Sequence, residues 1–185
     1  MRLAVFFAFL VMLGVATAVL TYPSRSEVSY SAFRIIGGPG PAMVGWVYHD
    51  DGKERFELVR GGRLRIYIHR PDLGKAIIVD PETMTGEVVP IDDSRVDFGF
   101  WRLRELAAEA QGQETINGET VTRFVAIDRY NKPQGYWLTD DGIPLQVVRT
   151  YGIESTTIRL INLQRGRQAG HLFEVPEGID IISKK

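Results

Sequence analysis

Three histidines, His49, His69 and His171, offer ligand and acid–base chemistry in this chain, and no two of them lie at the spacing that places a pair on one metal ion. His49 precedes Asp50 and Asp51, which could add oxygen donors. The pairs Asp50-Asp51 and Asp140-Asp141 each run into Gly, however, and an acidic residue before Gly belongs to turn chemistry. Binding of a metal through His49 with Asp50 or Asp51 is the alternative at that point. Gly37-Gly-Pro-Gly-Pro41 is rich in glycine but has no following Lys-Ser or Lys-Thr and no helix start, so it reads as a loop rather than a phosphate cradle. Neither a G-x-S-x-G elbow nor an H-E-x-x-H motif is present, and Cys is absent, which excludes thiolate chemistry and disulfides. The sequence therefore points to no catalytic residue, no metal ligand and no cofactor. The expectation is a protein that is not an enzyme.

The amino-terminal stretch sets the compartment. Arg2 supplies a positive start, Leu3 to Val15 are apolar apart from Gly14, and Ala16-Thr17-Ala18 is a small-x-small cleavage pattern. Cleavage after Ala18 is expected, with an uncleaved anchor over Leu3–Leu20 as the alternative. Residues 1–18 are thus read as a signal peptide and 19–185 as a single domain, free in the periplasm. Without Arg2 the charges number 21 basic against 23 acidic, a net of −2, which argues against a general nucleic-acid binder. Arg63, Arg65 and Arg70 with Tyr67 and His69 could form a basic-aromatic face, but export and net charge favour a solvated sheet face. Arg159, Arg165, Arg167, Lys184 and Lys185 make a basic carboxyl end that would either meet an anionic membrane or a partner, or serve solubility alone.

The elements around these residues are mostly strands. Arg63–His69 alternates Leu64, Ile66 and Ile68 with polar residues, and Glu54–Arg60 alternates Phe56 and Leu58 with Arg55, Glu57 and Val59. Gly61-Gly62 between them fits a two-residue hairpin turn, as do Asp51-Gly52, Asn117-Gly118 and Asp141-Gly142 elsewhere. Further strands are expected at Tyr30–Ile36, Met43–His49, Ala76–Asp80, Glu87–Val89, Thr120–Arg129, Gly135–Thr139, Leu145–Tyr151 and Thr156–Gln164. Between Asp97 and Gln111, Phe100, Leu103, Ala107 and Ala110 recur at helical spacing, with Asp97 or Asp93 as a cap and Gly112 as a stop. The pattern predicts a mainly β protein, a curved antiparallel sheet with one helix between two runs of strands.

The order of several motifs is similar to a known family. Tyr30-Ser-Ala-Phe-Arg-Ile-Ile36, Gly45-Trp-Val-Tyr48, Gly52-Lys-Glu-Arg-Phe-Glu57, Ile77-Ile-Val-Asp-Pro81, Asn117-Gly118, Gly135-Tyr-Trp-Leu-Thr-Asp-Asp-Gly-Ile-Pro-Leu145 and Leu172-Phe-Glu-Val-Pro-Glu-Gly178 follow one another as in the LolA/LolB-like superfamily of periplasmic proteins. The chain resembles its outer-membrane-lipoprotein-sorting relatives. The resemblance implies an unclosed β-barrel with a helical lid over a hydrophobic cavity, which in the carriers holds lipoprotein acyl chains. On that reading Trp46, Phe56, Leu58, Leu64, Ile66, Phe100, Leu103 and Trp137 are candidate lining residues for a lipid or acyl chain, which burial alone would hold at about 0.8 kcal/mol per methylene. The competing reading is a binding or sensor module whose core is filled and which meets an envelope protein partner. An open, dry cavity would favour the first, and a packed interior with an apolar patch elsewhere the second.

Overall fold

The computed structural model describes residues 28–93, 108–127 and 131–182. Within them lie β1 (Tyr30–Gly37), β2 (Met43–Asp50), β3 (Lys53–Arg60), β4 (Arg63–Arg70), β5 (Lys75–Asp80) and β6 (Thr85–Pro90). The second run comprises β7 (Ala108–Ile116), β8 (Glu119–Ile127), β9 (Pro133–Thr139), β10 (Pro144–Tyr151) and β11 (Glu154–Arg165), and a two-residue β12 (Asp180–Ile181) comes last. All belong to one open, curved sheet in the order β12-β6-β5-β4-β3-β2-β1-β11-β10-β9-β8-β7. Each run is an antiparallel meander, because tight turns join consecutive strands. Asp51-Gly52, Gly61-Gly62 and Asn117-Gly118 all adopt positive φ at both positions, the conformation that matches strand twist in a two-residue hairpin. The meanders meet where β1 pairs with β11, and β12 joins β6 in parallel.

The helix expected over Asp97–Gln111 is corrected at its carboxyl end. Ala108–Gln111 belong to β7, in register with β8 through Ala108↔Ala126 and Ala110↔Phe124. Gly112, expected as a helix stop, instead carries φ +125° at a bulge in that strand. Alanine fits either period, so spacing alone could not separate helix from strand here. Residues 94–107, including Phe100 and Leu103, lie outside the described residues, as do the leader and its cleavage pattern. The described fold contains no helical lid, and its helical pieces are 3-10 turns at Pro71–Leu73 and Gly170–Phe173.

The two faces of the sheet are unlike. One, the core face, carries most of a sixteen-residue buried cluster drawn from both meanders, among them Tyr30, Ala32, Val47, Phe56, Phe124, Tyr136, Val147 and Leu160. The other, the outer face, is covered over β4 and β5 by the carboxyl-terminal segment. There Phe173 is buried against Ile66, Ile68, Ile77 and Val79, with Leu172, Val175 and Ile179 around it. Two arginines hold this segment: Arg55 donates to the Leu172 carbonyl at 3.1 Å and Arg70 to the Phe173 carbonyl at 3.3 Å. The expectation that the polar face of β4 is solvated is corrected on the opposite, core face, where His69 is buried edge-on to Phe56 at 5.2 Å and Tyr67 packs on the core, while Arg63 stays exposed. Both faces of that strand are covered in its second half, and His69 is fully buried.

Candidate functional site

Cross-strand pairing decides which side chains share a face, since directly opposed residues point the same way. A single row crosses eight strands on the outer face. It begins at Arg123↔Trp137, continues through Gln146 to Arg159, and passes to Ile35 on β1. From Ile35 it runs on through Val44 and Val59 to Leu64. The next row carries Ile161, Phe33, Trp46, Glu57 and Ile66. Phe33 meets Trp46 edge-on at 5.6 Å between ring centroids, and Trp46 stacks with Tyr48 at 6.4 Å. Trp46 is 38% exposed and Val59 37%. β-Branched and aromatic residues suit a pleated surface, so the strand propensity that builds these elements also makes the patch apolar.

Charge on this face is unevenly spent. Glu57 is taken by Arg55 at 2.7 Å. Arg123 lies over the Trp137 ring at 5.4 Å, and Arg159 donates to Gln146 Oε1 at 3.0 Å, so neither guanidinium meets a carboxylate among the described residues. Trp137 can lie flat along its strand because Gly135, two residues back, has no Cβ; one would sit 2.9 Å from the ring. A cleft of about 310 Å³ opens beside Arg159 and Ile35, with Gly37, Gly38, Ser155 and Thr157 completing its walls.

The core face has its own polar group. Arg34, Glu54, His49 and His69 are buried there on four adjacent strands. The Arg34 guanidinium lies 4.6 Å from the Phe56 ring centroid, and burial pulls its pKa down to about 10 against the opposing charge of Glu54. His49 stacks on Tyr30 at 5.2 Å and its Nδ1 lies 3.2 Å from the Val28 carbonyl, so it is held as a packed ring rather than presented to a metal. Asp50 contacts the Ser29 hydroxyl and lies 3.7 Å from Arg167, while Asp51 sits in the turn.

Of the eight expected lining residues, the structure brings Phe56 and Leu58 together on the core face. Trp46, Leu64 and Ile66 stand on the opposite face, and Trp137, opposite Gln146 by pairing, packs against the buried cluster that holds Phe56 and Leu58. Phe100 and Leu103 are outside the described residues. Of the basic carboxyl end, Arg159 bonds Gln146, Arg167 lies 3.7 Å from Asp50, and Lys184 and Lys185 are outside the described residues. Arg165 is bidentate to Glu119 at 2.8 Å and pairs with Asp141 at 2.7 Å, raising its own pKa and lowering both carboxyls. Sequence reasoning passed over Phe33, Ile35, Val44 and Val59 as site residues, although the hairpin turns contain the register that assembles them.

No protein-family model matches the chain, and no curated protein matches its sequence. Likeness lies with solved structures. An uncharacterized conserved protein from Thermus thermophilus superposes with a TM-score of 0.65 at 12% identity, covering 87% of this chain and 93% of that one. MucB superposes with a TM-score of 0.56 at 14% identity, covering 86% of this chain and 61% of its own. MucB in the Pseudomonas aeruginosa MucA/MucB complex gives 0.55 at 14% identity, with 86% and 59% covered. These likenesses establish a shared fold, and this chain spans about three fifths of the length of the MucB chains.

Proposed function

We propose that this chain is a non-enzymatic binding module of the cell envelope that holds a protein partner against its outer sheet face. The observation carrying this reading is the contrast between the faces. The sixteen side chains of the main buried cluster are at most 4% exposed, whereas Trp46 and Val59, beside Phe33, stand open on the outer face. A void wide enough for an acyl chain would leave its lining in contact with open space, and the core-face residues have almost none. Contiguous apolar surface left in water is a mark of interaction sites. The fold shared with MucB, a protein solved in complex with MucA, supports a polypeptide partner. Export to the periplasm rests on the leader pattern, with the mature chain starting at Val19.

The LolA/LolB-like resemblance and the open sheet support a second reading, in which the core face parts to admit a lipid or lipoprotein acyl chain for carriage to or between envelope membranes. One experiment separates the two. A photo-crosslinking amino acid placed at Trp46, Val59 or the fully exposed turn residue Ile153 is activated in intact cells, and the purified protein is titrated with a dansylated fatty acid. Adducts from Trp46 and Val59 but not Ile153, without saturable probe uptake, are expected. Saturable uptake with no position-specific adduct would replace the partner reading with the acyl one.

A further inference from the structure

The outer-face row has a polarity that runs across the sheet. Its β8–β11 half ends in two guanidiniums, Arg123 and Arg159, and its β1–β4 half is wholly aliphatic, Ile35, Val44, Val59 and Leu64. From this juxtaposition we infer that the occupant of the face is an extended polypeptide segment of about ten residues, acidic where it meets Arg123 and Arg159 and apolar where it meets Val44, Val59 and Leu64. The inference rests on the docking reading above and specifies the chemistry of the partner.

The length follows from spacing. Seven steps between adjacent strands at about 4.8 Å make a track of about 34 Å, which an extended chain rising about 3.4 Å per residue covers in about ten residues. The charge follows from what is already satisfied. Glu57 is neutralised by Arg55, and among the described residues Arg165 is engaged by Glu119 and Asp141 and Arg167 lies near Asp50. Arg123 and Arg159 remain exposed with an indole face and an amide for company, so a partner carboxylate gains a charge-assisted bond without first breaking an ion pair. The cleft beside Arg159 and Ile35 lies at the junction of the two halves and is large enough to seat one side chain of the segment. A bilayer fits this surface less well, because interfacial anchoring draws on several rings that stand clear of the surface, and here Phe33 is half-buried edge-on to Trp46, which is itself 38% exposed. Arginine and tryptophan side by side are instead the composition of protein-interface hot spots.

The test is a selection in which the partner need not be known. A library of random twelve-residue peptides displayed on phage is panned against the protein, against Trp46→Ser and against the double variant Arg123→Glu/Arg159→Glu, each first shown by its melting temperature to be folded. Expected are peptides with Asp or Glu clustered in one half and Leu, Ile, Val or Phe in the other, binding at least tenfold more weakly to the double variant and more weakly in 0.5 M salt. Selection by the double variant of peptides whose acidic half has become basic would complete the case. Trp46-dependent peptides that are neutral or basic overturn the inference and leave the docking reading standing. No Trp46-dependent enrichment overturns both. Two competing occupants are read in parallel. Binding to vesicles containing 30% phosphatidylglycerol that is lost in the double variant would assign the face to a membrane, and a dimer dissociated by Val59→Asp would assign it to a second copy.

Discussion

His69 Nδ1 stands 3.6 Å from Glu54 Oε2, across directly opposed positions of β4 and β3 and in the interior of the core face. The separation is longer than that of a hydrogen bond. Burial works to raise the Glu54 pKa, but contact with His69 and the charges of His49 and Arg34 outweigh it and hold the carboxyl below its ordinary value. A carboxylate depressed in the folded state adds stability that is complete above its unfolded value near 4.5 and is lost as pH falls through the lower folded one. Glu54→Gln should therefore flatten the acid limb of a melting-temperature profile below about pH 4.5 and, by removing the buried carboxylate that opposes the Arg34 charge, cost about 3 kcal/mol at pH 7. An unchanged acid limb and parental stability at neutral pH would show that the pair is not coupled.

The difference between the faces predicts a difference between two aromatic truncations. Phe56 is fully buried beneath Arg34, and Phe56→Ala should cost about 3–5 kcal/mol in urea unfolding. Trp46→Ala, on the open face, should cost less than about 1.5 kcal/mol while weakening partner binding. Equal costs would mean that Trp46 belongs to the core rather than to a docking surface.

Phe173 is the wedge that seats the carboxyl-terminal segment on β4 and β5. Its replacement by Ala should destabilise the fold by about 3 kcal/mol and uncover Ile66 and Ile68, which a hydrophobic dye such as ANS would register as increased fluorescence of the still-folded protein. Dye binding equal to that of the parent would indicate that the segment stays down without its anchor.

Gly45 lies opposite both Arg34 and Leu58, where a Cβ would coincide with the Glu57 carbonyl oxygen and come within 2.6 Å of its carbon. Ala is a small change in volume, yet backbone must move to admit it. Gly45→Ala should cost about 2–3 kcal/mol, more than Ala at Gly170, where nothing lies within 4 Å. Comparable melting temperatures for the two variants would contradict this.

Much of the sheet was readable from the chain because turn dipeptides punctuate regular alternation. Every expected strand is present, and only boundaries moved. The allocation of faces is encoded as well, in the parity of the turns rather than in residue type. A two-residue turn at Gly61-Gly62 pairs Arg60 with Arg63, which forces Phe56 opposite Tyr67 and Leu58 opposite Arg65, away from Ile66. The turn at Asp51-Gly52 likewise sets Trp46 opposite Glu57. Residue type alone places Phe56 and Ile66 in one apolar lining, whereas turn parity puts them on opposite faces. β7 was not legible in the same way: Ala108, Ala110 and Gly112 carry no strand-forming side chain, and only their pairing with β8 makes them a strand. The buried cluster around Glu54 was equally hidden, since a charged residue between Lys53 and Arg55 looks like part of a solvated turn.

The pairing of β1 with β11 joins Tyr30 to Arg165, positions 135 apart in the chain, at the middle of the sheet. The contacts most distant in sequence are thus the ones that make the halves into a whole, a topology of high contact order and slow folding. Until Glu154–Arg165 arrives, the amino-terminal meander presents β1 as a bare edge carrying Phe33, Ile35 and Ile36, the kind of edge that recruits strands from other molecules. A chain cut short before Glu154 would not be a smaller version of this protein but an aggregation-prone intermediate, and the cell making it would have to keep the nascent chain from its neighbours until its last long strand is delivered.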